Sequence, residues 1–186
     1  MKKIIIGLVG ETGAGKGAFV SYLQKKLKSK NFFKLRFSDA LSQALLIFFD
    51  EVKKQDQQWL GAVLREKFGQ DVLAKSIEKK IKNIKNGLIL VDGIRLKEEE
   101  DMIRKNGGKI VYITAPSKIR WQRLGKRGEK KDDKVSFNKF LKIEQAITER
   151  HIKEIGSRAD YRIDNSGLFV SFYQQIDKFL KNLGLK

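Results

Sequence analysis

Gly10-Glu11-Thr12-Gly13-Ala14-Gly15-Lys16 follows directly on the apolar run Ile4-Ile5-Ile6-Gly7-Leu8-Val9 and precedes an amphipathic stretch. No other feature constrains the fold as much. The G-x-x-x-x-G-K spacing lets the backbone curl until successive N–H groups face one anion, with Lys16 adding a mobile positive charge. A helix starting near Lys16 aims the positive end of its dipole at the same anion. The segment is therefore expected to bind phosphate through Gly10 to Gly17 and Ala18. The position after Lys16, where a Ser or Thr hydroxyl commonly serves magnesium, is Gly17, so a metal must find its ligands elsewhere.

The remaining apolar runs are short and bounded by turn residues: Phe32 to Phe37, Leu88 to Val91, Ile110 to Ile113 and Ala159 to Ile163. Helical patterns lie between them. Phe19, Val20, Leu23 and Leu27 make one stripe; Val63, Leu64, Phe68, Val72, Ile77, Ile81 and Ile84 suggest two helices broken at Gly69; Phe169 to Leu183 makes the last. One helix is expected from about Ser136 to Ile152, with Glu144 near the centre of its apolar face and in need of an arginine partner. His151, on the same helix, is expected to be a satisfied, half-buried histidine. Alternation of strands and helices predicts a three-layer α/β fold of about five parallel strands with helices on both faces. At 186 residues a single domain is expected, with an acceptor-binding helical region over 37–87 and a small charged lid over 125–134.

The chain carries 40 Lys plus Arg against 22 Asp plus Glu, a net +18, which attracts polyanions from nucleotides to nucleic acid. It has no cysteine and one histidine, which excludes Cys/His zinc sites and disulfides and suits a cytoplasmic setting. Met1-Lys2-Lys3 before an apolar run faintly resembles a signal peptide, but that run enters the glycine loop with no cleavage pattern, and is expected to be a buried strand. No apolar segment reaches the roughly 20 residues of a membrane-spanning helix.

In a parallel sheet, ligands gather beyond the carboxyl ends of the strands. That rule selects the glycine loop, then Ser38 and Asp39, then Asp92-Gly93-Ile94-Arg95, then Thr114-Ala115-Pro116, then Asn165. Asp92, at the tip of an apolar run, has the placement of an aspartate that holds magnesium, with Thr12 second. Arg120, Arg123 and Arg127, at i, i+3 and i+7, share one helix face and form a candidate anion clamp. Asp39 is either a base or the cap of the helix beginning there. Trp59 and Trp121, with Phe32 and Phe33, are expected to be core or crevice aromatics.

Taken together, these residues resemble the P-loop kinases of small molecules, the nucleoside monophosphate kinases and dephospho-CoA kinase, and most of all an archaeal-type branch related to both. The likeness rests on Gly10-x-x-Gly13-x-Gly15-Lys16-Gly17, Ser38-Asp39-Ala40-Leu41, Leu64-Arg65-Glu66-Lys67-Phe68-Gly69, Val91-Asp92-Gly93-Ile94-Arg95, Arg123-Leu124-x-x-Arg127-Gly128 and Ala159-Asp160-Tyr161-x-Ile163-x-Asn165. It implies a P-loop NTPase fold and transfer of a phosphoryl group from ATP, with Mg2+, to a nucleoside or deoxynucleoside monophosphate, or to dephospho-CoA. By matched position it implies that Gly10, Glu11, Thr12, Gly13, Ala14, Gly15, Lys16 and Gly17 bind the donor triphosphate, that Arg95 and Arg65 bind the acceptor, that Arg123 and Arg127 close over the transferred phosphoryl group, and that Asp39 stands where dephospho-CoA kinases place a base. From the strand-end rule and the helix spacing, Ala18, Arg120 and Asn165 are expected to join the nucleotide contacts, Ser38 and Asp39 the acceptor contacts, and Lys16 and Asp92 the residues that serve the transfer. Adenylate kinases place an arginine where this chain has Ser42, so either the acceptor is not AMP or Arg36 or Arg65 reaches its phosphate. A nucleic-acid-binding P-loop protein or polynucleotide kinase is the competing class. It ranks lower, because no aromatic RNA-binding motif or zinc finger accompanies the charge.

Overall fold

The computed structural model describes residues 2–27, 31–128, 135–145 and 147–185. Five parallel strands, β1 (Ile4–Val9), β2 (Phe32–Arg36), β3 (Leu88–Asp92), β4 (Lys109–Thr114) and β5 (Tyr161–Asp164), form one sheet in the order β2-β3-β1-β4-β5, with helices on both faces. Strands covered on both sides are built from continuous apolar runs, and Leu88-Ile89-Leu90-Val91 is buried without alternation. The register of the β2–β3 pair sets Arg36 opposite Asp92, and that of β4–β5 sets Thr114 opposite Asp164.

By contacts the chain divides into two compact units. The first is Met1–Gly7 with Asn31–Lys109. It contains α2 (Phe37–Leu45), α3 (Lys54–Phe68), α4 (Val72–Asn83) and α5 (Lys97–Lys105). α4 buries Leu73, Ala74, Ile77 and Ile81 on one stripe. α2, α3 and α5 start alike: an acid in the first turn turns back to the N-cap backbone, with Asp39 Oδ2 accepting from Arg36 N–H at 2.9 Å, Asp56 Oδ2 from Lys53 N–H at 3.0 Å and Glu99 Oε2 from Leu96 N–H at 3.2 Å. The stripe expected through Val63 and Phe68 is a correction. Gly61 is the residue α3 buries, whereas Val63 and Phe68 are exposed.

The second unit is Leu8–Lys30 with Ile110–Lys186. It holds α1 (Lys16–Leu27), α6 (Ser117–Arg127), α7 (Phe137–Glu144), α8 (Ile147–Ser157) and α9 (Phe169–Asn182). α1 buries Phe19, Val20 and Leu23, and α9 buries Phe172, Ile176, Phe179 and Leu180. The single helix expected from Ser136 to Ile152 is two helices. The Gln145 N–H reaches back three residues to Lys142 O, a tightened last turn that closes α7 directly after Glu144. The lid expected over 125–134 begins with the end of α6, which stops at Gly128 in the left-handed conformation; its remainder, from 129 to 134, lies outside the described residues.

Candidate functional site

The glycine loop is shaped by steric necessity. Gly13 and Gly15 have φ of 82° and 108°, where a side chain is strained, and a Cβ on Gly10 would strike the Ile113 carbonyl. Gly17 is different: a Cβ there meets nothing within 4 Å. The Lys16 ammonium turns back onto the loop, donating to Gly10 O and, at 3.0 Å, to Glu11 O.

Three side chains from the same unit brace this loop. Asn165, 2% exposed at the end of β5, donates through Nδ2 to Ala14 O at 2.9 Å and occupies the space a Gly15 side chain would need, while its Oδ1 is buried without a partner. Glu11, expected to meet nucleotide, instead points inward. Its Oε1 accepts from the Tyr112 hydroxyl and, at 3.5 Å, from Thr114 Oγ1, so its contribution to an anion site is confined to its backbone. Burial, and then the bond to Glu11, pushes the Tyr112 phenol up to about 12.

Arg120 is the third brace, and it corrects the expected three-arginine clamp. Its guanidinium, 2% exposed, donates to Ala115 O at 2.7 Å, Thr12 O at 3.2 Å and Ser117 Oγ at 3.0 Å, and makes a two-pronged pair with Glu144. With its donors spent inside the protein, Arg120 supports the loop rather than presenting charge to an anion. The arginine partner expected for Glu144 is thus found. Arg123 is half-buried; its Nη2 donates to Asn165 O at 2.8 Å, its Nη1 is buried without a partner, and desolvation holds its guanidinium below the usual arginine range. Arg127, the last residue of α6, is exposed. The half-buried His151 lies on α8.

In the first unit the candidate residues gather at the ends of β2 and β3. Asp92 Oδ2 lies 3.6 Å from Lys34 Nζ and 4.0 Å from Arg36 Nε, while Oδ1 is buried with no hydrogen-bond partner. That orphan oxygen fits a ligand that brings a donor or a hydrated cation. Among the described residues no group of three or more acidic or histidine side chains is arranged to hold a metal, so a hydrated cation here would take Asp92 as its protein ligand. Asp39 is seen as a cap, as its bond to Arg36 N–H requires. Ser38 lies in the first turn of α2, its carbonyl accepting from Ser42 Oγ at 3.1 Å. Arg65, a candidate acceptor contact, lies with Nη2 3.8 Å from Glu99 Oε1 and has a buried Nε without a partner. Glu99 escapes a sequence reading because its neighbours Glu98 and Glu100 look the same. Only Glu99 also accepts the Arg95 N–H, at 2.8 Å; burial raises its carboxyl above the usual range, opposed by those N–H groups and by Arg65 and Arg95. Arg95 itself is exposed.

Comparison with known proteins agrees with this frame. A UPF0200 protein of Methanothermobacter thermautotrophicus is 27% identical over 100% of this chain and 94% of its own length, and a UPF0200 protein of Sulfurisphaera tokodaii is 29% identical over 96% and 97%. Shikimate kinase from Bacteroides thetaiotaomicron matches 98% of this chain and 99% of its own with a TM-score of 0.61 at 15% identity, a likeness of fold. Residues 6–146 match the AAA domain family, and with most of its length covered this chain, with its kinase-like P-loop fold, belongs to that family.

Proposed function

We propose that the protein is an ATP-dependent phosphotransferase whose acceptor is a small molecule, a nucleoside or deoxynucleoside monophosphate. The observation that carries this reading is the braced loop: Gly10 to Lys16 held by Glu11–Tyr112, Thr12–Arg120 and Ala14–Asn165, with the unpaired Nη1 of Arg123 linked to it through Asn165. A loop fixed before substrate arrives offers its N–H groups to a triphosphate without reorganisation, which is how phosphoryl transfer is accelerated. Lys16 would leave Gly10 O and Glu11 O for the β- and γ-phosphates, and Arg123 and Arg127 would neutralise charge on the transferred group. Asp92 Oδ1, buried without a partner, would hold a hydrated magnesium ion, the group that supplies charge neutralisation in phosphoryl transfer.

In the reaction an acceptor phosphate oxygen attacks the γ-phosphorus, the bond to the bridging oxygen breaks, and ADP leaves. An acceptor phosphate is already anionic near neutral pH and needs no general base. That suits an Asp39 occupied as a helix cap. Arg95, Arg65 and Arg36 are the cations of the first unit that would meet the acceptor's phosphate, with Ser38 as a polar neighbour.

A coupled ADP-release screen of ribo- and deoxyribonucleoside monophosphates and dephospho-CoA tests the reading. Acceptor-dependent turnover lost in Lys16→Ala is expected, by about 10²-fold or more, as for loss of a group that stabilises transition-state charge. Absence of any acceptor-dependent, Lys16-dependent turnover overturns it. Turnover of dephospho-CoA alone replaces the acceptor class.

A further inference from the structure

β2, at one edge of the sheet, carries two cations among apolar residues, Phe32-Phe33-Lys34-Leu35-Arg36. Side chains alternate along a strand, so Lys34 and Arg36 share one face. The parallel register sets Lys34 opposite Leu90 and Arg36 opposite Asp92, which puts the carboxylate on that face as well. A lysine on an edge strand ordinarily wards off pairing with another chain and keeps its ammonium in water. Lys34 is placed differently. Its side chain is 26% exposed and that of Asp92 18%, against 72% and 56% for the surface pair Lys97 and Asp101.

Both cations address one oxygen. Lys34 Nζ is 3.6 Å and Arg36 Nε 4.0 Å from Asp92 Oδ2, distances too long for hydrogen bonds, so they offset its charge without consuming its lone pairs. Oδ1, buried and without a partner, is left to a further ligand. A divalent ion that takes this carboxylate must come within a few ångströms of both cations. Asp39, the other acid at this end of β2, has its Oδ2 committed to the Arg36 N–H. Repulsion between charges about 4 Å apart at a half-buried site changes an equilibrium constant by roughly tenfold or more.

We propose that Lys34 and Arg36 are positioning residues that make Asp92 a conditional metal ligand: they bar a divalent cation arriving alone and admit one that arrives on a polyphosphate. The negative charge of the polyphosphate offsets the two cations, which then attract the complex that carries the metal. The proposal rests on the kinase reading above and adds to it an order of binding, in which no metal primes the site ahead of the nucleotide.

The test follows Mn2+, added without nucleotide, through the electron paramagnetic resonance signal of the free ion, a readout independent of turnover. The parent is expected to bind Mn2+ no more tightly than Asp92→Asn. Lys34→Met is expected to gain about tenfold or more in Mn2+ affinity, and Arg36→Gln, at an exposed position, to move in the same direction. Adding Asp92→Asn to either should abolish the gain. Lys34→Arg, which keeps the charge, should stay within a few-fold of the parent. Melting temperatures taken alongside establish that each variant is folded, and Arg36→Gln carries the test should Lys34→Met fail to fold. Calorimetry with a non-hydrolysable ATP analogue is the second arm. Mn2+ should tighten analogue binding in the parent and do so less in Lys34→Met, whose metal site no longer depends on the nucleotide. Tight, Asp92-dependent Mn2+ binding by the parent, or an affinity unmoved in both Lys34→Met and Arg36→Gln, overturns the proposal. If the variants behave as expected but no Lys16-dependent transfer occurs, the kinase reading falls and the conditional metal site stands. If transfer occurs while Mn2+ affinity is unmoved, the metal proposal falls and the kinase reading stands.

Discussion

At the scale of single residues, Gly17 separates what the loop needs sterically from what it lacks chemically. Nothing approaches a Cβ at that position, so Gly17→Ser is accommodated and, in a helix, is neutral to about 0.5 kcal/mol stabilising. If the missing hydroxyl limits metal binding, this variant is expected to reach half-maximal activity at lower magnesium concentration, read from a magnesium titration of ADP release. Asp39 offers a second test of this kind. Its carboxylate accepts the Arg36 N–H, a bond that an asparagine oxygen also makes. Asp39→Asn should therefore hold its melting temperature and its turnover of a nucleotide to within a few-fold, whereas Asp39→Ala should lose about 1 kcal/mol. A collapse of turnover in Asp39→Asn with an unchanged melting temperature would assign the carboxylate to base catalysis and the acceptor to the hydroxyl class. Tyr112 carries a pH dependence. Its folded-state value of about 12 lies above the unfolded 10.0, so the stability it contributes is complete below pH 10 and is lost as pH rises through 12. Stability measured across that interval should fall less steeply in Tyr112→Phe than in the parent.

At the scale of elements, Arg120 joins three of them: α6, on which it sits, the loop through Thr12 O, and α7 through Glu144. Removing one partner of a buried pair strands the other charge. Glu144→Ala is therefore expected to cost about 3–5 kcal/mol in denaturant unfolding, the largest single effect predicted for this protein. Replacing both partners by apolar residues, Arg120→Met with Glu144→Leu, should recover much of that loss, because neither charge then has to be desolvated. Nucleotide affinity should not recover with it, since Thr12 O would still lack its donor. A double variant that regained both would reduce the pair to a packing contact. The caps of α2, α3 and α5 follow a simpler rule, each helix turning its own first-turn acid back on its N-cap N–H. Of the three, only the Asp39 cap was legible in the sequence, because it follows directly on an apolar run; Asp56 and Glu99 have like-charged or polar neighbours that could serve equally well.

At the scale of the whole molecule, the net +18 is a field rather than a site. Self-repulsion among the lysines should make the melting temperature rise with added salt between low and physiological ionic strength, as screening shortens to about 8 Å. The same field should give weak binding to DNA or RNA that disappears over that interval, and affinity persisting at physiological salt would restore the nucleic-acid reading. The chain by itself determined that about five short parallel strands alternate with helices, and placed the glycine loop after the first strand and Asp92 and Asn165 at or just past the ends of theirs. Each of these follows from a pattern a few residues long, in which period, turn residue and spacing act on neighbouring backbone. Tertiary structure decided what those patterns meet. A helical period puts Arg120, Arg123 and Arg127 on one face, but only packing makes one of them a buried partner of Glu144 and leaves another exposed at a helix end. Glu11 lies in the most recognisable motif of the chain, yet its side chain is claimed by a tyrosine 101 residues away. Trp59 and Phe48 have the composition of a core and the exposure of a surface. Periodicity fixes which side chains share a face, and the free energy of burying that face depends on residues far away in the chain.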